Sequence, residues 1–363
     1  MRQPLSPALS LPMPKLRALV VDDAVVMRRL LTEALHRDPM IEVAGTAANG
    51  RIALQKLGQI SPDIVTLDVE MPEMDGLATL RELRKTYPRL PVIMFSTLTQ
   101  RGASATLDAL AAGASDYLTK PSEVSNVEAA ITQLEKELLP KVRALCASNF
   151  APPPRLATPS PSGPRASNTD IELICIGTST GGPNALVDLF HGFTTAPTVP
   201  IAIVQHMPPT FTAMLSERLN SLPGPVRCKE AIEGEILEAG RAYMAPGGLH
   251  LGLSRDVAGR FRAKLLDSPQ ENSCRPAVDV LFRTAANSPA AILAVVMTGM
   301  GQDGLRGSEH VLEHHGQVIV QDQASSVIWG MPGAVAQAGL AHAVLPLSEL
   351  APEILRRSRR RFT

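Results

Sequence analysis

Short apolar runs alternate with amphipathic helical patterns along almost the whole chain, and one Pro/Ser/Ala-rich stretch, Asn149 to Asn168 (NFAPPPRLATPSPSGPRASN), cuts the alternation in two. Such alternation predicts parallel sheets covered by helices on both faces, since each parallel pair needs a crossover and a helix is the usual one. Upstream of the cut, strand-like runs lie at Leu16 to Val21, Ile41 to Thr46, Asp63 to Leu67, Pro91 to Phe95 and Ser115 to Thr119. Helical patterns such as Ala24 to His36 and Gly76 to Thr86 separate them. Downstream, Ile171 to Ile176, Pro200 to Gln205, Ala291 to Met297 and Gln317 to Gln321 read as strands. Between Ala242 and Leu266 an Ala-Pro-Gly-Gly segment separates short alternating runs, which predicts an antiparallel hairpin added to an otherwise parallel sheet. The dividing stretch has almost nothing to bury, so its backbone entropy predicts an extended or mobile linker.

A length of 363 residues and a hydrophobic fraction of 45% suffice for two buried cores. Lys+Arg and Asp+Glu balance at 35 each, so no global field recruits nucleic acid or a membrane surface. Met1 to Pro14 lacks the basic region, apolar core and cleavage site of an export signal, and no apolar run reaches membrane-spanning length. Cys146, Cys175, Cys228 and Cys274 show neither metal-ligand nor redox-pair spacing, which favours reduced thiols. A soluble cytoplasmic protein is expected.

Ser179 sits in Gly177-Thr178-Ser179-Thr180-Gly181-Gly182, directly after one strand run and before an amphipathic stretch opening at Pro183. Glycines permit a tight, strained turn that lifts a serine hydroxyl out of the backbone, and a helix N-terminus aims N–H groups at developing negative charge. A Walker loop would end in Gly-Lys-Ser/Thr and a dinucleotide fingerprint would space its glycines differently, yet the motif alone leaves a phosphate cradle or a structural turn open. A nucleophilic serine needs a base and a group to orient it. His206 follows the next strand run, whereas His36 and His191 fall in helical patterns and His250 in the expected hairpin. His310 and His314 share a helix face at metal-ligand spacing without an evident further ligand, and read as a solvated face. Asp303, in Thr298-Gly299-Met300-Gly301-Gln302-Asp303-Gly304, lies beyond another strand run; alone it reads as a turn residue, and its place beside the other two makes it the orienting carboxylate. The Thr180 backbone N–H is a candidate oxyanion donor.

In the first half, Asp22 and Asp23 end the first strand, Asp68 the third, and Ser96 and Lys120 the fourth and fifth, so all converge on one crevice of a doubly wound sheet. Three carboxylates so close repel unless a hard cation joins them, and oxygen ligands favour Mg²⁺.

About Lys15 to Leu138, these positions resemble the receiver domain of two-component response regulators. The resemblance implies Asp68, in Leu-Asp-Val-Glu-Met-Pro-Glu-Met-Asp-Gly, as phosphoacceptor, with Mg²⁺ held by Asp22, Asp23, Asp68 and the Glu70 backbone carbonyl. It implies Ser96 and Tyr117 as switch residues, Tyr117 becoming buried on phosphorylation, and Lys120 followed by a cis bond to Pro121. The second half is similar to the catalytic domain of bacterial chemotaxis protein-glutamate methylesterases, through Ile-Gly-Thr-Ser-Thr-Gly-Gly, Gln205-His206-Met207-Pro208, Tyr243 to Gly247, Arg275 to Phe282 and Thr298 to Gly304. Ser, His, Asp is not the α/β-hydrolase order, so that superfamily is not implied. Thr178 replaces the usual alanine and Gln302 the usual asparagine, which predicts altered tuning rather than lost chemistry.

Together the resemblances imply a phosphorylation-regulated hydrolase that demethylates glutamate methyl esters on methyl-accepting chemotaxis receptors and deamidates receptor glutamines, with Met300 as second oxyanion donor and no cofactor for the ester chemistry. A chemotaxis histidine kinase as phosphodonor, a monomer, and a receiver that blocks the Ser179 crevice until phosphorylated are implied too. The expected organisation is α/β, two doubly wound domains: a flexible extension at 1–14, a five-stranded parallel receiver (flavodoxin-like) at 15–138, a helix end and linker at 139–169, a mainly parallel catalytic domain with an added antiparallel hairpin at 170–355, and a basic tail at 356–363. Two competing readings are a non-enzymatic phosphorylation-dependent adaptor that binds a phosphate-containing ligand, and a DNA-binding regulator. The triad residues speak against the first and the αβ alternation of the second half against the other.

Overall fold

The computed structural model describes residues 15–121, 126–147, 170–288 and 291–359. The expectations for 1–14, for 148–169 of the linker and for 360–363 of the tail lie outside them. The elements are β1 (Leu16–Val21), α1 (Val25–His36), β2 (Ile41–Ala47), α2 (Gly50–Ile60), β3 (Ile64–Asp68), α3 (Gly76–Thr86), β4 (Val92–Ser96), α4 (Gln100–Ala111), β5 (Asp116–Thr119) and α5 (Val127–Leu145). They build one five-stranded sheet in the order β2-β1-β3-β4-β5. Because β1 pairs in parallel with both β2 and β3, sheet growth reverses between β1 and β3 and opens a crevice beyond their carboxyl ends. Asn49, Asp75, Thr99 and Asn126 start α2 to α5 by accepting a first-turn N–H, which is what these short polar side chains do best. The cis Lys120–Pro121 bond is not found; among the described residues the cis bond is Arg275–Pro276.

Beyond the linker come β6 (Ile171–Thr178), α6 (Gly182–Gly192), β7 (Ile201–Gln205), α7 (Pro209–Ser221), β8 (Arg227–Glu230), β9 (Arg241–Met244), β10 (His250–Arg255), β11 (Phe261–Leu266), α8 (Val278–Ala286), β12 (Ala291–Val296), α9 (Leu305–Glu313), β13 (Gln317–Gln321), α10 (Met331–Gln337), β14 (Ala343–Leu345) and α11 (Leu347–Ser358). Seven of the strands form an all-parallel sheet, β14-β13-β12-β6-β7-β9-β8. The chain enters it at β6, grows outward through β7, then crosses back to β12, so the switch point lies at β6. The antiparallel hairpin is present as β10 and β11, paired His250↔Leu266 to Arg255↔Phe261 in a two-stranded sheet of its own. The alternating run from Ala242 belongs to parallel β9 instead, because Ala-Pro-Gly-Gly leads out of the main sheet and the hairpin turns at Asp256 to Gly259. At the other end α11 runs to Ser358, into the stretch expected as tail: Arg356 and Arg357 both pair with Glu353 one turn back and extend the helix.

β12 is buried at every position, and β6 at every position but one, as a central parallel strand covered on both faces must be. Leu173 and Cys175 of β6 and Ile292, Ala294 and Val296 of β12 share a core cluster with Val278, Leu281 and Phe282 of α8. Burying each large apolar side chain contributes about 1.5–3 kcal/mol. Gly177 lets α8 come this close, for a Cβ there would lie 2.3 Å from Val278 Cγ1.

Candidate active site

Ser179 follows β6, His206 follows β7 and Asp303 lies beyond β12, and these three strands are neighbours in the order β12-β6-β7. Thr178 pairs with Gln205 in register, and the His206 N–H donates to the Thr178 carbonyl at 3.2 Å, so serine and histidine stand side by side on one sheet edge. The loops are tied to each other: Ser179 N–H and the buried Thr178 hydroxyl both donate to the Thr298 carbonyl at 3.0 Å, and Thr298 Oγ1 donates to the Thr180 carbonyl at 2.9 Å. Thr178, where the family resemblance has alanine, thereby braces the turn. The expected backbone strain falls on Gly181, at φ 78°, and not on Ser179, since only glycine occupies that region freely.

His206 Nε2 lies 2.8 Å from Asp303 Oδ2, while its Nδ1 lies 3.5 Å from Cys274 Sγ. The Ser179 hydroxyl makes no hydrogen bond among the described residues. Of the expected triad, then, the structure joins histidine to aspartate and sets serine beside them without a hydrogen bond to the ring, whose second nitrogen meets a thiol. The N–H groups of Thr180 and Met300 likewise donate to nothing among the described residues, which leaves both available to an oxygen ligand.

Asp303 is buried and fully hydrogen-bonded. Oδ2 accepts the Val278 N–H at 2.7 Å, and Oδ1 accepts the N–H groups of Asp279 at 2.9 Å and Gly304 at 3.0 Å. Ala277, the residue before α8, has no side chain with which to cap that helix, so Asp303 caps it from outside. Reciprocally, Asp279 Oδ1 accepts the N–H groups of Gly304 and Gly307, at 3.0 and 2.6 Å, and caps α9 behind the side-chain-less Gly304. Burial alone would raise the Asp303 pKa, but the hydrogen bond to His206 and the backbone N–H groups hold it below the ordinary range, and helix N-termini favour anions. Burial, then the charge of Asp303, pushes Asp279 up. For His206 burial favours the neutral ring; the contacts with Asp303 and Cys274 overcome this and hold its pKa above the ordinary 6.5.

Asn272, Cys274 and Asp279 were not singled out from the sequence. Cys274 resembled three other scattered thiols, and Asp279 meets groups 25 and 28 residues away, a separation without local pattern. His310 and His314, with Glu313 beside them, lie at the C-terminal end of α9; His310 Nε2 meets Asn287 Oδ1 at 2.8 Å, and His314 Nδ1 meets the His310 carbonyl at 2.9 Å.

In the receiver sheet, ligand oxygens of Asp22, Asp23 and Asp68 lie within 4.8 Å of one another. Lys120 Nζ is 2.9 Å from Asp22 Oδ2 and 2.8 Å from Asp68 Oδ2, yet neither of these buried oxygens has a hydrogen-bond partner of good geometry. Two buried carboxylate oxygens with Lys120 alone beside them, and an exposed third carboxylate, make an all-oxygen donor set that fits a hard divalent cation. Burial, with Asp22 adding repulsion, pushes Asp68 up to about 6 against the pull of Lys120. Glu70 follows on the exposed side, its N–H donating to Asp68 Oδ1 at 3.3 Å. Ser96 is buried, its hydroxyl donating to the Thr97 carbonyl at 3.2 Å. Tyr117 is buried, at 9% exposure.

A family model described as CheB methylesterase matches residues 174–354, and one described as response regulator receiver domain matches residues 18–132. A protein-glutamate methylesterase/protein-glutamine glutaminase of Trichodesmium erythraeum is 51% identical over 356 residues, spanning 95% of this chain and 99% of the relative. One of Nocardioides sp. is 51% identical over 362 residues, spanning 95% and 96%. Among solved structures, the Thermotoga maritima CheB methylesterase catalytic domain is 38% identical and aligns with 52% of this chain and 98% of its own, at a TM-score of 0.50.

Proposed function

Since the chain belongs to the CheB family of protein-glutamate methylesterases/protein-glutamine glutaminases, we propose that it hydrolyses glutamate methyl esters on methyl-accepting chemotaxis receptors, releasing methanol, and deamidates receptor glutamines. The observation that carries the chemistry is the 2.8 Å contact of His206 Nε2 with Asp303, on strand ends that flank Ser179. With Nε2–H held by the carboxylate, Nδ1 is the basic nitrogen. Rotation of the Ser179 hydroxyl toward Nδ1, in place of the Cys274 thiol, lets the ring take its proton as Oγ attacks the γ-carbonyl. The Thr180 and Met300 N–H groups receive the oxyanion; losing one such donor costs about 3 kcal/mol, on the order of a hundredfold or more in rate. Imidazolium then protonates the leaving methoxide oxygen, or the leaving amide nitrogen of glutamine, as the acyl-enzyme forms. His206 next takes a proton from water as it attacks the acyl carbonyl and returns it to Ser179 Oγ as the ester bond breaks and glutamate leaves.

The receiver sheet supplies control in this reading. Asp68 takes a phosphoryl group from a chemotaxis histidine kinase, Lys120 neutralises it, and Ser96 and Tyr117 respond. Asp22, Asp23, Asp68 and the Glu70 carbonyl would hold Mg²⁺, which neutralises the transferred group when bound. The boundaries 15–138 and 170–355, a monomeric state and a cytoplasmic location belong to the same proposal; no described helix is long and apolar enough to cross a membrane. The deciding experiment measures methanol release from methylated receptors by the intact chain, with and without a small phosphodonor. Ser179→Ala is expected to abolish release while Asp68 phosphorylation survives; undiminished release would reject the nucleophile.

A further inference from the structure

Resting on that reading, we propose that Asn272 is a positioning residue of the reaction: its side-chain amide bridges the two buried carboxylates behind the imidazole and holds Asp303 in the orientation that engages His206. Asn272 Nδ2 lies 2.8 Å from Asp303 Oδ1 and 2.9 Å from Asp279 Oδ2. Ionised carboxylates only accept, so the NH₂ end must face them, one hydrogen to each; the partners fix the amide's orientation. Without that donor, Asp279 Oδ2 has no other hydrogen-bond partner among the described residues, and two like charges face each other directly.

The backbone delivers the amide there at a conformational cost. Glu271 and Cys274 close a two-residue turn through reciprocal backbone hydrogen bonds of 3.1 and 2.9 Å, with Asn272 at φ 52° and Ser273 at φ 62°. Two adjacent non-glycine residues in the left-handed region mark a strained turn, and such strain concentrates where geometry serves a site. Glu271 anchors the turn to α8 by two hydrogen bonds to Arg283, at 2.9 and 2.7 Å. From this one turn Asn272 reaches Asp303 while Cys274 reaches Nδ1 of His206, so both members of the pair are gripped by the same four residues. A turn residue as such would need only a tolerant φ, which glycine supplies equally; the double contact to carboxylates is what a turn does not require. Asn272 is itself exposed, so its substitution leaves the core intact.

The test uses the full chain. Asn272→Gly keeps the turn and deletes the amide, whereas Asn272→Asp keeps the shape and sets a third carboxylate beside Asp279 and Asp303. Asn272→Gly is expected to lower kcat for methanol release about 10- to 100-fold, as for one lost hydrogen bond to a buried charge, with KM within about twofold. Asn272→Asp is expected to move the acid limb of the kcat profile to higher pH, since added negative charge stabilises imidazolium. The His206 titration followed by NMR in a Ser179→Ala background should report the same displacement without turnover. Activity lost only in proportion to the unfolded fraction, or wild-type kcat in both variants with an unmoved His206 titration, would overturn the assignment. Should the unsubstituted chain release no methanol, the functional reading fails, and the NMR titration still decides for or against Asn272.

Discussion

His206 is held by Asp303 on one side and a thiol on the other, and its raised pKa has two consequences of opposite sign. The folded pKa lies above the unfolded 6.5, so the charged pair contributes stability that is fully present below 6.5 and is lost as pH rises through the folded value. Catalysis needs the neutral ring, so kcat should climb over that same interval. Asp303→Asn removes the charge that raises the ring's pKa and should bring the acid limb down toward 6.5, with a loss of about 10³- to 10⁴-fold in kcat; an unmoved limb would mean that Asp303 does not set the ring's charge. Asp68 runs the other way. A carboxyl raised from 3.8 to about 6 binds more protons folded than unfolded, so without a cation stability falls as pH rises through that interval. Asp68→Asn should therefore raise the thermal midpoint in EDTA at neutral pH, and Mg²⁺ should raise that of the unsubstituted chain; a midpoint indifferent to both would argue against a cation site.

Helices α8 and α9 begin at residues without capping side chains, and each receives its cap from the carboxylate at the start of the other. This exchange couples stability to the site, since the aspartate that orients His206 also starts α8. Asp279→Ala should cost about 1–3 kcal/mol in urea unfolding, the penalty of N–H groups left unmet at a buried helix end; an unchanged midpoint would show the caps to be dispensable. Element positions were mostly legible in the sequence: the apolar run at Leu16 and the helical pattern at Gly76 stand where expected because burial on one face imposes a period. The run from Ala242 was read into the hairpin because alternation marks a strand without naming its partner, and β9 pairs with β7 across helix α7 and with β8 across a loop.

At the scale of the whole molecule the testable consequence is control. Methanol release by the intact chain should rise with a phosphodonor, and a chain beginning near Thr169 should match the stimulated rate and ignore the donor; equal unstimulated rates would argue against inhibition by the receiver. The sequence by itself determined the α/β class, the two sheets and the strand ends at which Ser179, His206, Asp303 and the receiver aspartates stand. Periodicity and motif order are local properties, and a doubly wound sheet carries its strand ends to one edge whatever the details. Only the tertiary structure decided what lies behind those residues. Asn272 between two carboxylates, Cys274 against the imidazole and Asp279 on the neighbouring helix are contacts across 7 to 68 residues, made by packing and unmarked by spacing.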